Sequence, residues 1–205
     1  MPFVHLMRHG HVHNPEGVLY GRLPEFRLSD AGEQMAAASA AHLKSAGHDV
    51  ARVVSSPLLR ARQTAQHVAD AFGLEVDVDE RVIEAGNVYE GTKIGHGAAH
   101  YLHPRHWWRL RNPWRPSWGE PYREQRARMT AAVLDAAARE PERETVIVAH
   151  QLPIWVARRT AEGKGFVHDP RTRNCDLASV TTLRVDDGAM SLAGYANPAA
   201  HVERP

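Results

Sequence analysis

The chain has 205 residues, 43 % of them apolar, which suits one folded domain with room for a sizeable insertion and excludes a disordered chain. Its 25 basic residues nearly balance 24 acidic ones, for a formal charge of +1, without the basic excess of a nucleic-acid or membrane-surface protein. One cysteine, Cys175, rules out an intrachain disulfide and a thiolate metal site, and no apolar run approaches the ~20 residues of a membrane span. The N-terminal apolar stretch meets Arg8 and His9 too early for a signal peptide, so a cytoplasmic protein is expected.

Phe3 to Met7 is a short apolar run ending in Arg8-His9-Gly10, which predicts a buried strand followed by a loop. His11 to Arg27 carries Pro15, Gly17, Gly21 and Pro24 and reads as a long connection. An alanine-rich helix follows, with Ser29 as N-cap and Gly47 as its stop. Val50 to Ser55 is a second strand; Ser56-Pro57 then predicts a helix start, with the helix running to about Gly73. Leu74 to Val78 alternates like a strand. A helix from about Glu120 to Arg139 precedes a β-branched run, Thr145 to Ala149, that ends at His150. Ser179–Val185 and Met190–Tyr195, separated by Asp186-Asp187-Gly188, predict a terminal hairpin.

Strands alternating with helices predict an α/β fold, a three-layer αβα sandwich on a mostly parallel sheet. The stretch from about residue 92 to 121 breaks the alternation. It holds four of the five tryptophans, Trp107, Trp108, Trp114 and Trp118, with several arginines, and is read as a cap inserted over the site of a single domain. The fourteen histidines are scattered and none forms the i, i+4 pair of a zinc-protease helix, so most are read as surface or packing residues and no metal site is expected.

Three suspicious segments fall at equivalent places: Arg8-His9-Gly10 after the first strand, Ser56 to Arg60 after the second, and His150 after the late β-branched run. The carboxyl ends of parallel strands share one edge, where ligands bind, so two histidines and two arginines distant in sequence have a reason to meet. Guanidinium forks match phosphate oxygens, and Arg60 sits in a helix's first turn, which also favours an anion. A neutral imidazole can attack phosphorus once such a pocket has drawn charge from the phosphoryl oxygens.

Leu6-Met7-Arg8-His9-Gly10 resembles the signature of the histidine phosphatase superfamily, the phosphoglycerate-mutase-like proteins. Ser56-Pro57-Leu58-Leu59-Arg60-Ala61-Arg62-Gln63-Thr64-Ala65 is similar to its second motif, Leu28 to Gly32 to its helix start, and Val148-Ala149-His150 to its final histidine. The resemblance spans about Phe3 to Val156 and implies residue roles. His9 is the phosphorylated nucleophile; Arg8, Arg60 and His150 form the phosphate pocket, with His150 donating to the transferring group; Glu84 protonates the leaving oxygen; and Asn14 contacts the phosphate. No cofactor and no metal are implied, because the arginines and His150 neutralise charge. Three departures stand out. Asn14 lies five residues after His9 rather than six, Gln151 replaces a glycine, and the acidic segment before Tyr89 is one residue short, which leaves Glu80 and Glu90 as alternative acids. Glu120 is read either as a helix cap or as a substrate-facing residue, and Arg105, Arg109, Arg111 and Arg115 as solvated charges or a second anion site.

The phosphohistidine has two fates, water or a second hydroxyl. Cofactor-dependent mutases of the family are longer and carry paired basic residues in the insertion, whereas the arginines here are spaced singly. The expectation is therefore a metal-independent phosphomonoester hydrolase with a small-molecule substrate and neither nucleic acid nor membrane as partner; the apolar insertion leaves room for a dimer. The alternatives are a phosphoglycerate mutase-type phosphotransferase and a non-catalytic phospho-ligand module.

Overall fold

The computed structural model describes residues 2–93, 119–166 and 172–203. Most of the expected cap, with its tryptophans and the four arginines from Arg105 to Arg115, lies outside the described residues. Six strands form one sheet: β1 (Phe3–Arg8), β2 (Val50–Ser55), β3 (Val76–Val78), β4 (Glu144–Ala149), β5 (Val180–Asp186) and β6 (Ala189–Ala196). Their order is β3-β2-β4-β1-β5-β6; the first four run parallel, and β5 and β6 are antiparallel additions at one side.

The strands pack on both faces. Helices α1 (Asp30–Ser45) and α2 (Leu59–Phe72) share one apolar cluster with Met7, Val53, Val146 and Val148. Helices α3 (Tyr122–Arg139) and α4 (Gln151–Ala161) share the other with Val4, Leu6, Val54 and Ile147. Alternate strand residues thus feed opposite layers, as the pleat requires, and the αβα arrangement is the one the alternation predicts.

Local chemistry accounts for the helix limits. Ser29 caps α1, its Oγ accepting from Gly32 N at 3.1 Å. The hairpin turns on Asp187 and Gly188, with φ of 46° and 75°, the backbone a tight turn between right-twisted strands demands. Two boundaries differ from the sequence reading. Helix α2 begins at Leu59, after Ser56-Pro57, with Leu58 as its N-cap; Ser56 Oγ accepts from Leu58 N at 3.4 Å and meets His150 Nε2 at 2.7 Å. The sequence pattern also does not announce α4, although Pro153 in its first turn is well tolerated there.

Register is what assembles the site. Arg8 is level with Ala149, and Met7 and Ser55 both pair with Val148. The residues that follow, His9, Ser56 and His150, therefore emerge side by side at the carboxyl edge. Backbone bonds hold them there: His9 N donates to Ala149 O (3.1 Å) and Ser56 N to Val148 O (3.0 Å).

Candidate active site

The loop after β1 lies so close to the start of α1 that a Cβ on Gly10 would stand 2.4 Å from Gly32 O, and one on Gly32 would stand 2.0 Å from His11 O. Only glycine at both positions permits this approach, which turns the chain sharply after His9. Helix α2 then pins the same loop at three points. Thr64 Oγ1 accepts from Gly10 N (3.1 Å), Gln63 Oε1 accepts from Leu28 N (2.8 Å), and Arg60 donates from Nη2 to Gly21 O (2.6 Å). The second motif is thus a staple for the first, with each buried bond contributing about 1 kcal/mol.

His9 is buried and lines a cavity of about 660 Å³. Its Nδ1 lies 2.8 Å from Gly10 O. A carbonyl only accepts, so Nδ1 carries the proton and Nε2 keeps its lone pair. Burial pushes the His9 pKa well below the usual imidazole range, and the cations Arg60 and Arg8 push it further, so the ring is neutral.

His150 sits behind it, fully buried, with ring centroids 5.1 Å apart. Arg60 Nη2 is 3.4 Å from His150 Nδ1, and His150 Nε2 is 2.7 Å from Ser56 Oγ. A guanidinium only donates, so Nδ1 accepts and the proton lies on Nε2, facing Ser56. Burial, His9 and the two arginines hold this ring neutral as well.

The arginines are anchored but not satisfied. Arg8 donates from Nη1 to Cys175 O (2.7 Å), and Arg60 packs its guanidinium over Tyr20, 4.7 Å from the ring centroid. Both Nε–H groups are buried with no acceptor among the described residues, a state an oxyanion would relieve. Arg60 and His150 are fully buried beneath the cavity wall, and Arg8, His9 and Tyr20 form part of that wall.

Glu84 lines the same cavity, its Oε1 accepting from Ala85 N (2.8 Å). Burial raises its pKa, outweighing that amide and the nearby arginines. Neither alternative is part of the lining, although Glu90 packs against Gly21, which is, and its charge reaches Arg60. Glu80 is exposed at the start of a 3₁₀ turn, and Glu90 accepts from Asn87 N at 3.0 Å in its own loop. Asn14 reaches the cavity wall, but both ends of its amide close a loop on Val18, at 2.8 and 3.0 Å. Glu120 does not cap α3, whose N-cap is Pro121. Its carboxylate binds Arg128 through both oxygens and Arg22 through one, and Arg22 also donates to Glu84 O (2.7 Å). Glu120 therefore braces the segment that carries Glu84.

Tyr20, Thr64, Arg22 and Arg173 belong to this region and escaped the sequence reading. Arg173 lines the cavity, and burial lowers its pKa. Only Thr64 carried a signal, as part of the second motif. Cys175 is no rival nucleophile, since burial pushes its thiol up to about 11.

An αβα sheet whose carboxyl edge presents two neutral histidines among arginines defines a phosphate-handling α/β protein. The chain belongs to the histidine phosphatase superfamily (branch 1), whose sequence profile it matches over residues 4–198. It is 49 % identical over 197 residues to the uncharacterized protein Rv0525 of Mycobacterium tuberculosis, covering 96 % of both chains. It is also 40 % identical over 82 residues, 40 % of each chain, to the 2,3-bisphosphoglycerate-dependent phosphoglycerate mutase of Thermoplasma acidophilum. Its fold superposes on the mycobacterial glucosyl-3-phosphoglycerate phosphatase Rv2419c with a TM-score of 0.75 and 27 % identity, covering 93 % and 96 % of the chains. Among the described residues no helix is long and apolar enough to cross a membrane.

Proposed function

We propose that the protein is a metal-independent phosphomonoester hydrolase that works through a phosphohistidine on His9. The observation that carries this reading is the fixed tautomer of His9: Nδ1–H donates to Gly10 O, which leaves the Nε2 lone pair on a cavity wall flanked by cations.

In the first step Nε2 forms a bond to phosphorus while the bond from phosphorus to the ester oxygen breaks. Arg8 and Arg60 draw charge from the phosphoryl oxygens, their orphaned Nε–H groups supplying donors where negative charge accumulates. His150, held between Arg60 and Ser56, steadies Arg60 behind that group. The Asn14 amide keeps one hydrogen beyond its bond to Val18 and presents it from the cavity wall. The departing oxygen takes the proton of Glu84, whose pKa burial raises toward the acid form. In the second step the Glu84 carboxylate takes a proton from water as the water oxygen bonds to phosphorus and the bond from phosphorus to His9 Nε2 breaks. That releases inorganic phosphate and restores both His9 and the Glu84 acid. Neither step calls on a metal or an organic cofactor.

The likeness to a mutase over 82 residues keeps a second acceptor in play, a sugar or glycerate hydroxyl in place of water. One assay separates the two: phosphate release from a panel of monoesters in EDTA, with 3-phosphoglycerate and glucosyl-3-phosphoglycerate included. Turnover of a few members is the expected result. Activity abolished by EDTA overturns the mechanism, and bisphosphoglycerate-dependent interconversion that outpaces hydrolysis makes the protein a mutase.

A further inference from the structure

The amino edge of the sheet, opposite the catalytic cavity, gathers a second set of histidines. Strand alternation sends His5, Glu144 and Thr182 to the α1/α2 face, the side to which Met7, Val146 and Val180 also point. His48, in the connection from α1 to β2, closes over them. Glu144 Oε2 is 3.0 Å from His5 Nε2 and 2.9 Å from His48 Nδ1, and the rings meet edge to face at 4.5 Å. One potential ligand atom from each of the three residues lies within 4.8 Å of the other two.

We propose that His5, His48 and Glu144 form a binding site for a divalent transition-metal ion, zinc above all, that ties β1, β4 and the α1–β2 connection together. Two imidazoles and a carboxylate are a ligand set zinc takes readily, with a fourth position left for water. Tetrahedral bonds of ~2.0–2.2 Å place ligand atoms roughly 3.3 Å apart. The observed 2.9 and 3.0 Å spacings need widen by only a few tenths of an ångström.

The surroundings suit the exchange of protons for metal. His5 is fully buried, so its ring is held in place by the strand and its neighbours. Its other nitrogen, Nδ1, lies 3.0 Å from Thr182 Oγ1. A hydroxyl both donates and accepts, so the His5 proton can move from Nε2 to Nδ1 and be received by Thr182, an outer contact that fixes the ligating tautomer. His48 would ligate through Nδ1 with the proton on Nε2. The graded exposure of the side chains, 0 % for His5, 17 % for Glu144 and 30 % for His48, provides an entry path. The neighbouring cation, Arg143, is paired with Asp49 at 2.8 Å, which offsets its charge.

The test uses EDTA-stripped protein titrated with zinc chloride, read by a competing chromophoric chelator and by thermal melting. One equivalent is expected to bind, and at about a hundredfold excess over Kd it raises Tm by roughly 5–10 °C. The shift is expected to vanish in Glu144→Gln and in the half-exposed His48→Gln, which circular dichroism checks for folding. It is expected to persist in His9→Ala. Absence of saturable binding, a shift retained in His48→Gln, or a shift lost in His9→Ala overturns the proposal; the last places the zinc at the catalytic edge.

Discussion

The two edges of the sheet each hold a pair of facing histidines, and what surrounds the pair sets its chemistry. At the carboxyl edge His9 and His150 stand 5.1 Å apart among Arg8 and Arg60, with no carboxylate between them. At the amino edge His5 and His48 stand 4.5 Å apart with the Glu144 carboxylate bonded to both. Burial makes the imidazoles of His5, His9 and His150 neutral bases. Guanidinium neighbours then aim the carboxyl-edge pair at an anion, and a carboxylate neighbour aims the amino-edge pair at a cation. Histidine alone therefore predicts neither role.

The sharpest break in this comparison is His9→Ala. It removes the one lone pair that a carbonyl has fixed on the cavity wall, and turnover should fall by on the order of 10⁴-fold or more. Acid-labile phosphate trapped on the wild-type chain by rapid quench should be absent from the variant. Retained turnover at near wild-type rate would mean that the cationic pocket serves some other nucleophile.

A smaller effect is expected for Glu84→Gln, and it depends on the leaving group. Alkyl phosphates need a proton on the departing oxygen and should slow by roughly 10²–10⁴-fold, whereas p-nitrophenyl phosphate, whose leaving oxygen is stable as an anion, should slow far less. The pH profile carries the same information. On the proposed mechanism, turnover requires neutral His9 and protonated Glu84. Falling pH protonates His9 only well below the usual imidazole range, and rising pH ionises Glu84 only above the usual carboxylate range. Alkyl phosphate turnover should therefore peak on the acid side, and its decline at higher pH should disappear in Glu84→Gln. Equal slowing of both ester classes would assign Glu84 to positioning.

The carboxyl edge was legible in the sequence because two regularities coincide there. Apolar runs marked the strands, and reactive residues followed directly after three of them, so topology alone brought His9, Arg60 and His150 together. Spacing could not choose among Glu80, Glu84 and Glu90, since a choice requires knowing which one the chain turns toward the cavity. The bond between Ser56 and His150 spans 94 positions, which local propensity cannot register. The bracing of Glu120 by Arg22 and Arg128 was hidden for the same reason. The amino edge was illegible for a further one: His5 and Glu144 are 139 positions apart, and neither sits in a motif. His5 reads as a polar interruption in an apolar strand until register reveals its partner.

The smallest expected effect tests that partner directly. In EDTA, with metal excluded, Glu144→Ala removes the acceptor shared by His5 and His48. His5 is buried, so its Nε2–H would be left without a partner where water does not compensate, while His48, partly exposed, can turn to solvent. The loss should therefore reflect one stranded donor rather than two, about 1–3 kcal/mol by urea unfolding. His48→Ala should cost less than that, because it leaves the His5–Glu144 bond in place. If the two variants cost the same, the carboxylate organises the exposed histidine rather than the buried one, and the amino edge loses its likeness to the catalytic pair.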